Sequence, residues 1–296
     1  MGARKVLALT GNEAAAYAMR QLRPDVVAAY PITPQTDVVQ AFATFVHGGV
    51  VPTEFVPVES EHSAMSVCVG AAAAGGRVMT ASSSQGIALM AEMLLVASGN
   101  RLPIVMAVAA RSLSAPINIM CDHSDVMLVR DAGWLQLFCT DAQQVYDTTI
   151  QAVRIAEHLE VRLPVMVCYD GFITSHALTP VEVLEDAEVQ AFVGSYRAVA
   201  PLLDVEHPVT YGAMDLRDYF FEHKRQQAEA FSRAADVVTE VGAGYGALTG
   251  RAYGLLQAHR LEDAELAVVA LGSTASTALG VVDDLRGEGE RVGLLH

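Results

Sequence analysis

Residues 77–111 read RVMTASSSQGIALMAEMLLVASGNRLPIVMAVAAR, and this stretch decides the fold. Its first and last parts, Arg77–Ser82 and Ile104–Ala109, are short and apolar, like strands that are buried on both faces of a parallel sheet. Between them, Gly86–Ser98 is long and apolar enough for a buried helix. Strand, helix and strand in this order form the unit from which α/β folds are built. We therefore expect an α/β protein with a mostly parallel sheet.

The same alternation continues on both sides of this unit. Strands are predicted at Val26–Tyr30 and Val165–Tyr169, and helices at Asn12–Leu22, Thr36–Val46, Glu61–Ala74 and Asp141–Glu157. The helical segments are longer than the strands, and their apolar residues recur at helical spacing. Residues 1–180 are therefore predicted to form one α/β domain.

The character of the sequence changes near Thr179. Residues 181–260 are more charged and lack the strand–helix rhythm, so we expect a connector that wraps a neighbour and contains a helix at Phe221–Ala235. The rhythm returns in residues 261–296, with a strand at Leu266–Leu271, a helix at Thr274–Leu285 and a strand from about Arg291. This last part is expected to be the start of a second α/β domain, incomplete in this sequence.

The composition excludes several classes of protein. Hydrophobic residues make up 52% of the 296 positions and charged residues 18%, which excludes a disordered chain. The formal charge of −15 leaves no general affinity for nucleic acid or for an anionic membrane. The apolar run Val6–Leu9 is too short for a signal peptide or a membrane span. We expect a cytoplasmic protein with neither nucleic acid nor membrane as a partner.

Neither the cysteines nor the glycine-rich segments form a recognised motif. Cys68, Cys121, Cys139 and Cys168 lack CxxC spacing and stand among apolar residues, which predicts buried, reduced thiols. Any iron–sulfur clusters would then lie on other chains. The segment Gly242–Gly246 lacks GxGxxG spacing, so it predicts no nucleotide site. The hydroxyl-rich turn Ser82–Gly86 lacks GxSxG, and is predicted to cap the helix that follows.

Three segments together indicate a ligand site. Tyr30–Pro34 follows a predicted strand, at the sheet edge where open α/β folds bind their ligands. Two prolines stiffen this loop and fix the direction of Thr33. Glu61 begins an apolar helix, so its carboxylate is expected near the same edge and partly desolvated. Arg111 follows another predicted strand and should emerge there too. Each segment taken alone has an alternative interpretation. Tyr30–Pro34 could be only a rigid loop, Glu61 only a helix-terminal carboxylate, and Arg111 only a surface arginine.

Long segments of the chain resemble the pyruvate:ferredoxin oxidoreductase family. They are AYPITPQTDVVQ from residue 29, VPVESEHSAMSVCVGAAAAGGRVMTASSSQGIALM from residue 56, LSAPINIMCDHSD from residue 113 and VMVCYDGFITSH from residue 165. The closing VVALGSTASTALGVVDDLRGEGERVGLL resembles the start of the next family domain. The resemblance implies a pyrimidine-binding domain of the thiamine diphosphate type. It also implies a separate β subunit that carries the diphosphate site, Mg²⁺ and a 4Fe-4S cluster.

The resemblance also implies roles for individual residues. Glu61 matches the glutamate that hydrogen-bonds N1′ of the cofactor's aminopyrimidine, and sharing a proton there helps the cofactor lose its reactive proton. Thr33 matches the hydroxyl that contacts the oxoacid. Arg111 matches the arginine that pairs with the substrate carboxylate, a task suited to a planar, two-pronged donor. No metal ligand is expected in this chain. His62, Asp122 and His123 lie in matching motifs without an assigned role, and Glu59 is left out of the site.

The implied activity is oxidative decarboxylation of pyruvate with coenzyme A to acetyl-CoA and carbon dioxide, with electrons passing to ferredoxin. The chain would be the α subunit of a hetero-oligomer with the β subunit and further ferredoxin-like and γ-type subunits. Two alternatives remain open. One is the same chemistry on 2-oxoglutarate, a branched-chain oxoacid or oxalate. The other is a non-catalytic scaffold subunit, which the presence of Glu61, Thr33 and Arg111 disfavours.

Overall fold

The structure is a computed structural model that describes residues 4–296. Its strands are β1 (Lys5–Leu9), β2 (Val26–Ala29), β3 (Glu54–Pro57), β4 (Val78–Ser82), β5 (Val105–Ala110), β6 (Leu135–Phe138), β7 (Val165–Asp170), β8 (Thr179–Val183), β9 (Ala258–His259), β10 (Leu266–Val269) and β11 (Val292–Leu295). Its helices are α1 (Gly11–Leu22), α2 (Thr36–His47), α3 (Glu61–Ala74), α4 (Ser84–Leu89), α5 (Ala91–Gly99), α6 (Ser124–Leu128), α7 (Ala142–Glu157), α8 (Ile173–His176), α9 (Asp186–Val193), α10 (Phe220–Thr249) and α11 (Ser273–Gly287).

A six-stranded sheet in the order β3-β2-β4-β5-β7-β6 forms the centre of the molecule, and all of its neighbouring strands are parallel. The predicted α/β class with a mostly parallel sheet is confirmed. The chain moves outward from β2 to β3 and then returns to place β4 on the other side of β2. The strand order therefore reverses between β2 and β4, and such reversals leave a crevice at the carboxyl ends of the strands.

Helices cover both faces of this sheet, which is why its central strands are mostly apolar. On one face, α1, α2 and α7 pack over alternate strand residues such as Met79, Ala107 and Val167. On the other face, α3 and α5 pack over the intervening residues, such as Met106 and Cys168. Side chains that alternate along one strand therefore enter two separate cores. This alternation decides which side chains at the carboxyl ends point toward α3.

Several local predictions were wrong. A single helix was expected at Gly86–Ser98, but α4 and α5 are separate because Met90, at φ −88° and ψ 3°, lies outside the helical region. No strand was expected at the amino terminus or near residue 181. There, β1 and β8 pair antiparallel as a two-stranded ribbon, with Leu7 opposite Val181. Strands β3 and β6, which were also not predicted, complete the two edges of the large sheet.

Helix α10 is twice as long as predicted, because it continues beyond Ala235 through the glycine-rich segment Gly242–Gly246. The glycines of that segment are packing positions. A Cβ on Gly242 would lie 1.8 Å from the backbone oxygen of Tyr253, and a Cβ on Gly246 would lie 2.7 Å from the Cβ of Ala252. The chain that follows α10 folds back against these two positions, so glycine is required by a contact between backbones rather than by a turn.

A smaller three-stranded sheet, ordered β10-β11-β9, forms in the last part of the chain, where the predicted strand, helix and final strand are confirmed. All four residues of β10 are exposed. The proposed boundaries near residues 180 and 260 stay predictions, and Met1–Ala3 of the first proposed domain lie outside the described residues. Within residues 4–296, no helix has both the length and the apolarity that a membrane crossing requires.

Candidate functional site

The predicted site residues lie at the carboxyl edge of the large sheet, beside the reversal of strand order. Thr33 follows β2, the turn Ser82–Gly86 follows β4, and Arg111 follows β5. Because β4 pairs with both β2 and β5, these three strand ends are neighbours. Helix α3, which begins at Glu61, packs on β2 and β4 from one face. The expected convergence on one sheet edge is therefore confirmed.

Glu61 is fixed by the way in which α3 begins. Ser60 adopts an extended backbone and accepts a hydrogen bond from the backbone N–H of Ser63, so it caps the helix. Glu61 is the first helical residue, and the positive end of the helix dipole favours a carboxylate there. Its side chain is buried, with 6% exposure. The nearby hydroxyls of Ser60 and Ser63 bond each other and Glu59 rather than Glu61, and within residues 4–296 the Glu61 carboxylate makes no hydrogen bond.

Arg111 is also buried, at 5% exposure, and joins two of the other strand ends. Its Nη1 donates to the backbone oxygen of Thr33 and its Nη2 donates to Oε1 of Gln85, both at 2.6 Å. Its Nε is buried and has no partner among residues 4–296. Burial lowers the pKa of Arg111, and the Asp125 carboxylate acts in the opposite direction. The guanidinium carries five N–H donors, so an edge that includes Nε is available for an anionic ligand.

Thr33 is held mainly through its backbone. Thr33 is exposed, whereas the following Pro34 and Gln35 are buried. The Pro34 oxygen accepts from Asn12 at 2.7 Å, and Gln35 donates to the backbone oxygen of Ala81 at 2.8 Å. The loop is therefore bonded to α1 and to β4, which fixes Thr33 at the mouth of the crevice.

Asp125 organises the site, and the sequence had assigned it no role. It is fully buried, and its Oδ2 accepts the backbone N–H groups of Ser84 and Arg111 at 2.8 and 3.0 Å. Burial raises the pKa of Asp125, and these N–H groups act in the opposite direction. One carboxylate thus ties the turn after β4 to the start of the loop after β5. Its place in the motif DHSD was the only sequence signal.

The turn Ser82–Gly86 lies inside the site, and the prediction that it caps a helix was wrong. Ser83 precedes α4 but makes no side-chain cap, because its hydroxyl donates to the backbone oxygen of Ala109 at 2.7 Å. Gln85 contacts Arg111 as described above. A Cβ on Gly86 would lie 2.7 Å from Cγ and 2.8 Å from Oε1 of Glu61. Glycine at position 86 therefore leaves room for the carboxylate of Glu61.

Cys121, His123 and Asp170 place one possible metal-ligand atom each within 4.8 Å of one another. His123 Nε2 and Asp170 Oδ1 are hydrogen-bonded at 2.8 Å, and Asp170 Oδ2 also accepts from the backbone N–H and hydroxyl of Ser273. Burial alone would raise the pKa of Asp170, but these bonds outweigh it and hold that pKa below its usual value. In the part of the chain described, this group is a satisfied hydrogen-bond network.

The prediction of buried thiols is confirmed for three of the four cysteines, all of which are free. It is wrong for Cys121, which is half-buried beside carboxylates. Burial and the charge of Asp170 raise the pKa of Cys121 to about 12. His62, to which no role was assigned, lies at the surface with its Nε2 3.6 Å from Oε2 of Glu92. Glu59 is exposed and outside the crevice, as expected.

Residues 17–243 match a family model described as pyruvate flavodoxin/ferredoxin oxidoreductase, thiamine diphosphate-binding. The match extends over most of the chain and includes each strand end that forms the crevice. The chain belongs to this family. The family is one of oxidoreductases, and the matched domain is its thiamine diphosphate-binding part.

Among the curated relatives of this chain are two pyruvate synthase subunits. The pyruvate synthase subunit PorA of Thermotoga maritima is 59% identical over 289 residues, which cover 98% of this chain and 74% of the relative. The subunit of the same name from Methanocaldococcus jannaschii is 48% identical over 294 residues, covering 99% of this chain and 76% of the relative. This chain therefore spans about three quarters of these subunits.

The fold is also that of a solved member of this class. A chain of the 2-oxoglutarate:ferredoxin oxidoreductase of Magnetococcus marinus, solved with 2-oxoglutarate, coenzyme A and succinyl-CoA, matches with a TM-score of 0.80 at 20% identity. The match covers 99% of this chain and 53% of the solved one, so this chain spans about half of that protein. At this identity the comparison supports the fold of the family and not a substrate.

Proposed function

We propose that this chain is the α subunit of a pyruvate:ferredoxin oxidoreductase. The enzyme would convert pyruvate and coenzyme A to acetyl-CoA and carbon dioxide, and pass two electrons to ferredoxin. The observation that carries the proposal is 59% identity, over nearly the whole chain, to a subunit named for pyruvate synthesis. The crevice supports it, because a buried carboxylate and a buried guanidinium lie at adjacent strand ends.

The residues at the crevice fit the aminopyrimidine end of thiamine diphosphate. This ring presents a basic nitrogen and an amino group, so it requires buried polar partners. Glu61 offers a buried carboxylate without a protein partner among residues 4–296, and Gly86 keeps the space beside it clear. A carboxylate in such surroundings can accept a ring N–H or share its proton.

When bound, thiamine diphosphate supplies the carbon nucleophile and the electron sink that decarboxylation of an oxoacid requires. Glu61 then holds a proton at N1′ of the pyrimidine, and its burial keeps that proton from exchanging freely with water. Arg111 directs its free donors, including Nε–H, toward the carboxylate of the oxoacid. The Thr33 hydroxyl, at the mouth of the crevice, would contact the oxoacid. Asp125 and Gln85 hold Arg111 in position.

We propose further that partner subunits complete the enzyme. Binding of the diphosphate and of Mg²⁺ would lie on a β subunit that also carries a 4Fe-4S cluster, with more clusters on ferredoxin-like subunits and a γ-type subunit. A 4Fe-4S cluster takes four thiolates. Three of the four cysteines here are buried in the two cores of the sheet, so within residues 4–296 the thiols do not converge. Ferredoxin and coenzyme A would bind the assembled enzyme.

A second candidate is the same reaction on another 2-oxoacid, since the solved relative in fold is a 2-oxoglutarate enzyme. A substrate screen separates the two. The purified complex would be incubated with thiamine diphosphate, Mg²⁺, coenzyme A and one oxoacid at a time, and reduction of a viologen dye recorded. We expect the highest kcat/KM with pyruvate. A higher kcat/KM with 2-oxoglutarate or a branched-chain acid would identify that acid as the substrate in place of pyruvate. No dye reduction with any acid would favour a scaffold subunit.

A further inference from the structure

One buried hydroxyl in the crevice has no partner. Ser82 ends β4 and is fully buried, and its Oγ makes no hydrogen bond within residues 4–296. Leaving a buried hydroxyl unpaired costs about 1–3 kcal/mol, and native proteins rarely leave one without a reason. The other buried hydroxyls of this strand and turn are bonded. Thr80 donates to the backbone oxygen of Ala28 at 2.6 Å, and Ser83 to that of Ala109 at 2.7 Å.

The unpaired hydroxyl lies beside the carboxylate on which the proposed chemistry depends. A Cβ on Gly86 would lie 2.5 Å from Oγ of Ser82 and 2.8 Å from Oε1 of Glu61. The hydroxyl and the carboxylate therefore border one small volume above the Cα of Gly86. Ser82 lies on the same face of β4 as Thr80, and this is the face that α3 covers. Two unpaired polar groups, one of which is an obligatory acceptor, thus face the same position.

We propose that the Ser82 hydroxyl is a second polar contact for the aminopyrimidine of thiamine diphosphate, next to Glu61. This inference rests on the proposed function and adds a residue to its cofactor site. Glu61 is proposed to face N1′, which lies across the ring from the carbon that carries the amino group. A hydroxyl beside the carboxylate can donate to the lone pair of N1′, whereas an ionised carboxylate only accepts. Glu61 and Ser82 together therefore offer an acceptor and a donor to the same ring nitrogen.

The effects of removing the hydroxyl on the stability of the free protein and on cofactor affinity distinguish this role from a structural one. A hydroxyl that supports the fold stabilises the free protein, and its removal lowers stability. A hydroxyl that is unpaired until the cofactor binds costs stability in the free protein, so its removal leaves stability equal or higher and weakens cofactor binding. Thr80→Val is the matched control, because it replaces a hydroxyl on the same strand and face with a methyl group, and that hydroxyl already has a protein partner.

The experiment uses the assembled complex freed of its cofactor. The dissociation constant of thiamine diphosphate is measured by calorimetry at saturating Mg²⁺, and unfolding of the cofactor-free complex by thermal scanning. We expect Ser82→Ala to bind the cofactor on the order of three- to tenfold more weakly, without a lower unfolding temperature. Ser82→Cys carries a poorer donor, so its cofactor affinity should lie between those of the unaltered complex and of Ser82→Ala. Thr80→Val should show the reverse pattern, with lower stability and unchanged affinity.

Two results would overturn the inference. The first is unchanged cofactor affinity in Ser82→Ala. The second is a loss of stability in Ser82→Ala as large as that in Thr80→Val, which would show a structural hydroxyl. If the unaltered complex itself does not bind thiamine diphosphate, the proposed function and this inference fail together. If it binds and Ser82→Ala binds equally well, only the role of Ser82 fails.

Discussion

The guanidinium of Arg111 donates from Nη1 to the backbone oxygen of Thr33 at 2.6 Å, although 78 positions separate the two residues. Arg111 follows β5, and the strand β4 lies between β5 and β2, which Thr33 follows. The side chain therefore extends across one strand end to hold the loop that covers the crevice. Because the bond is to a backbone oxygen, it does not use the Thr33 hydroxyl proposed to contact the oxoacid.

Arg111→Lys should raise the KM for the oxoacid much more than it weakens cofactor binding. An ammonium cannot bond the Thr33 oxygen, Gln85 and a substrate carboxylate with the parallel donors of a guanidinium. We expect a decrease in kcat/KM of about ten- to a hundredfold. Steady-state kinetics and cofactor titration check this, with Arg130→Lys on the exposed surface as the control. Equal weakening of both ligands would instead place Arg111 in folding or in the cofactor site.

Gln85→Ala should also raise the KM for the oxoacid, but by less than Arg111→Lys does. Its Oε1 accepts from Nη2 of Arg111 and from the hydroxyl of Ser84, so its loss frees one side of the guanidinium without removing the charge. One hydrogen bond of this kind corresponds to about a tenfold change in KM for the oxoacid at most. The exposed Gln40→Ala is the control. A change in kcat with unaltered KM would show that Gln85 acts on the chemical step instead.

Glu61→Gln should leave the complex assembled and reduce turnover by on the order of a hundredfold, because an amide does not hold or release the proton at N1′. Glu59→Gln is a close control, since Glu59 is exposed and only two positions away. Gel filtration and dye reduction, measured on the same preparations, separate assembly from activity. Near-normal turnover in Glu61→Gln would remove this residue from the mechanism.

Gly86→Ala should reduce cofactor affinity and turnover together. The new methyl group would lie within 3 Å of both Ser82 and the Glu61 side chain, and such overpacking costs about 1–3 kcal/mol. Gly70→Ala provides the comparison, because Gly70 lies in α3 with nothing within 4 Å of its added Cβ. That change should be neutral or slightly stabilising, since alanine favours a helix. Equal behaviour of the two variants would contradict the close packing around Glu61.

The pair His123–Asp170 should make stability depend on pH. The hydrogen bond with Asp170 raises the pKa of His123, although burial opposes it. A raised histidine pKa contributes stability that is complete below its unfolded value, about 6.5, and is lost as the pH rises through the folded value. The lowered pKa of Asp170 keeps the pair intact on the acid side until the pH falls below the usual aspartate range.

The excess stability of the unaltered chain over His123→Gln should therefore be larger at pH 5.5 than at pH 8.5. Urea unfolding, followed by the fluorescence of the buried Trp134, measures it. His207→Gln, at an exposed position, should show little of this difference. A difference for His123→Gln that is constant with pH, or that grows toward alkaline pH, would show that His123 does not gain its proton through Asp170.

The parts of the fold that sequence predicts well are those decided by local pattern. The apolar strands β4, β5 and β7 and the helix Glu61–Ala74 were predicted within a residue or two, because both faces of those strands are buried and the helix has a capping serine. The second half of α10 was not predicted, and its glycines pack against Tyr253 and Ala252, which fold back from the following chain. The sequence pattern around these glycines does not indicate that the following chain packs against them.

The site shows the same division. Glu61 and Arg111 were predictable from chain position together with family motifs, and the structure buries both. Asp125 and Gln85 were missed because their importance lies in long-range bonds, to the backbone of Arg111 and to its guanidinium. The Ser82 hydroxyl was missed for the converse reason, since a hydroxyl after a strand ordinarily caps the next helix. The packing of Gly86 against Glu61 and the bond of Gln85 to Arg111 show that this turn faces the crevice.

Asp170 connects the large sheet to α11 through hydrogen bonds that share one carboxylate. One carboxylate, 3% exposed, accepts from His123 on the site loop and from the backbone and hydroxyl of Ser273 at the start of α11. Displacement of α11 would remove two donors from this carboxylate, and a buried carboxylate tolerates such a loss poorly. The contact therefore holds the start of α11 against the end of β7.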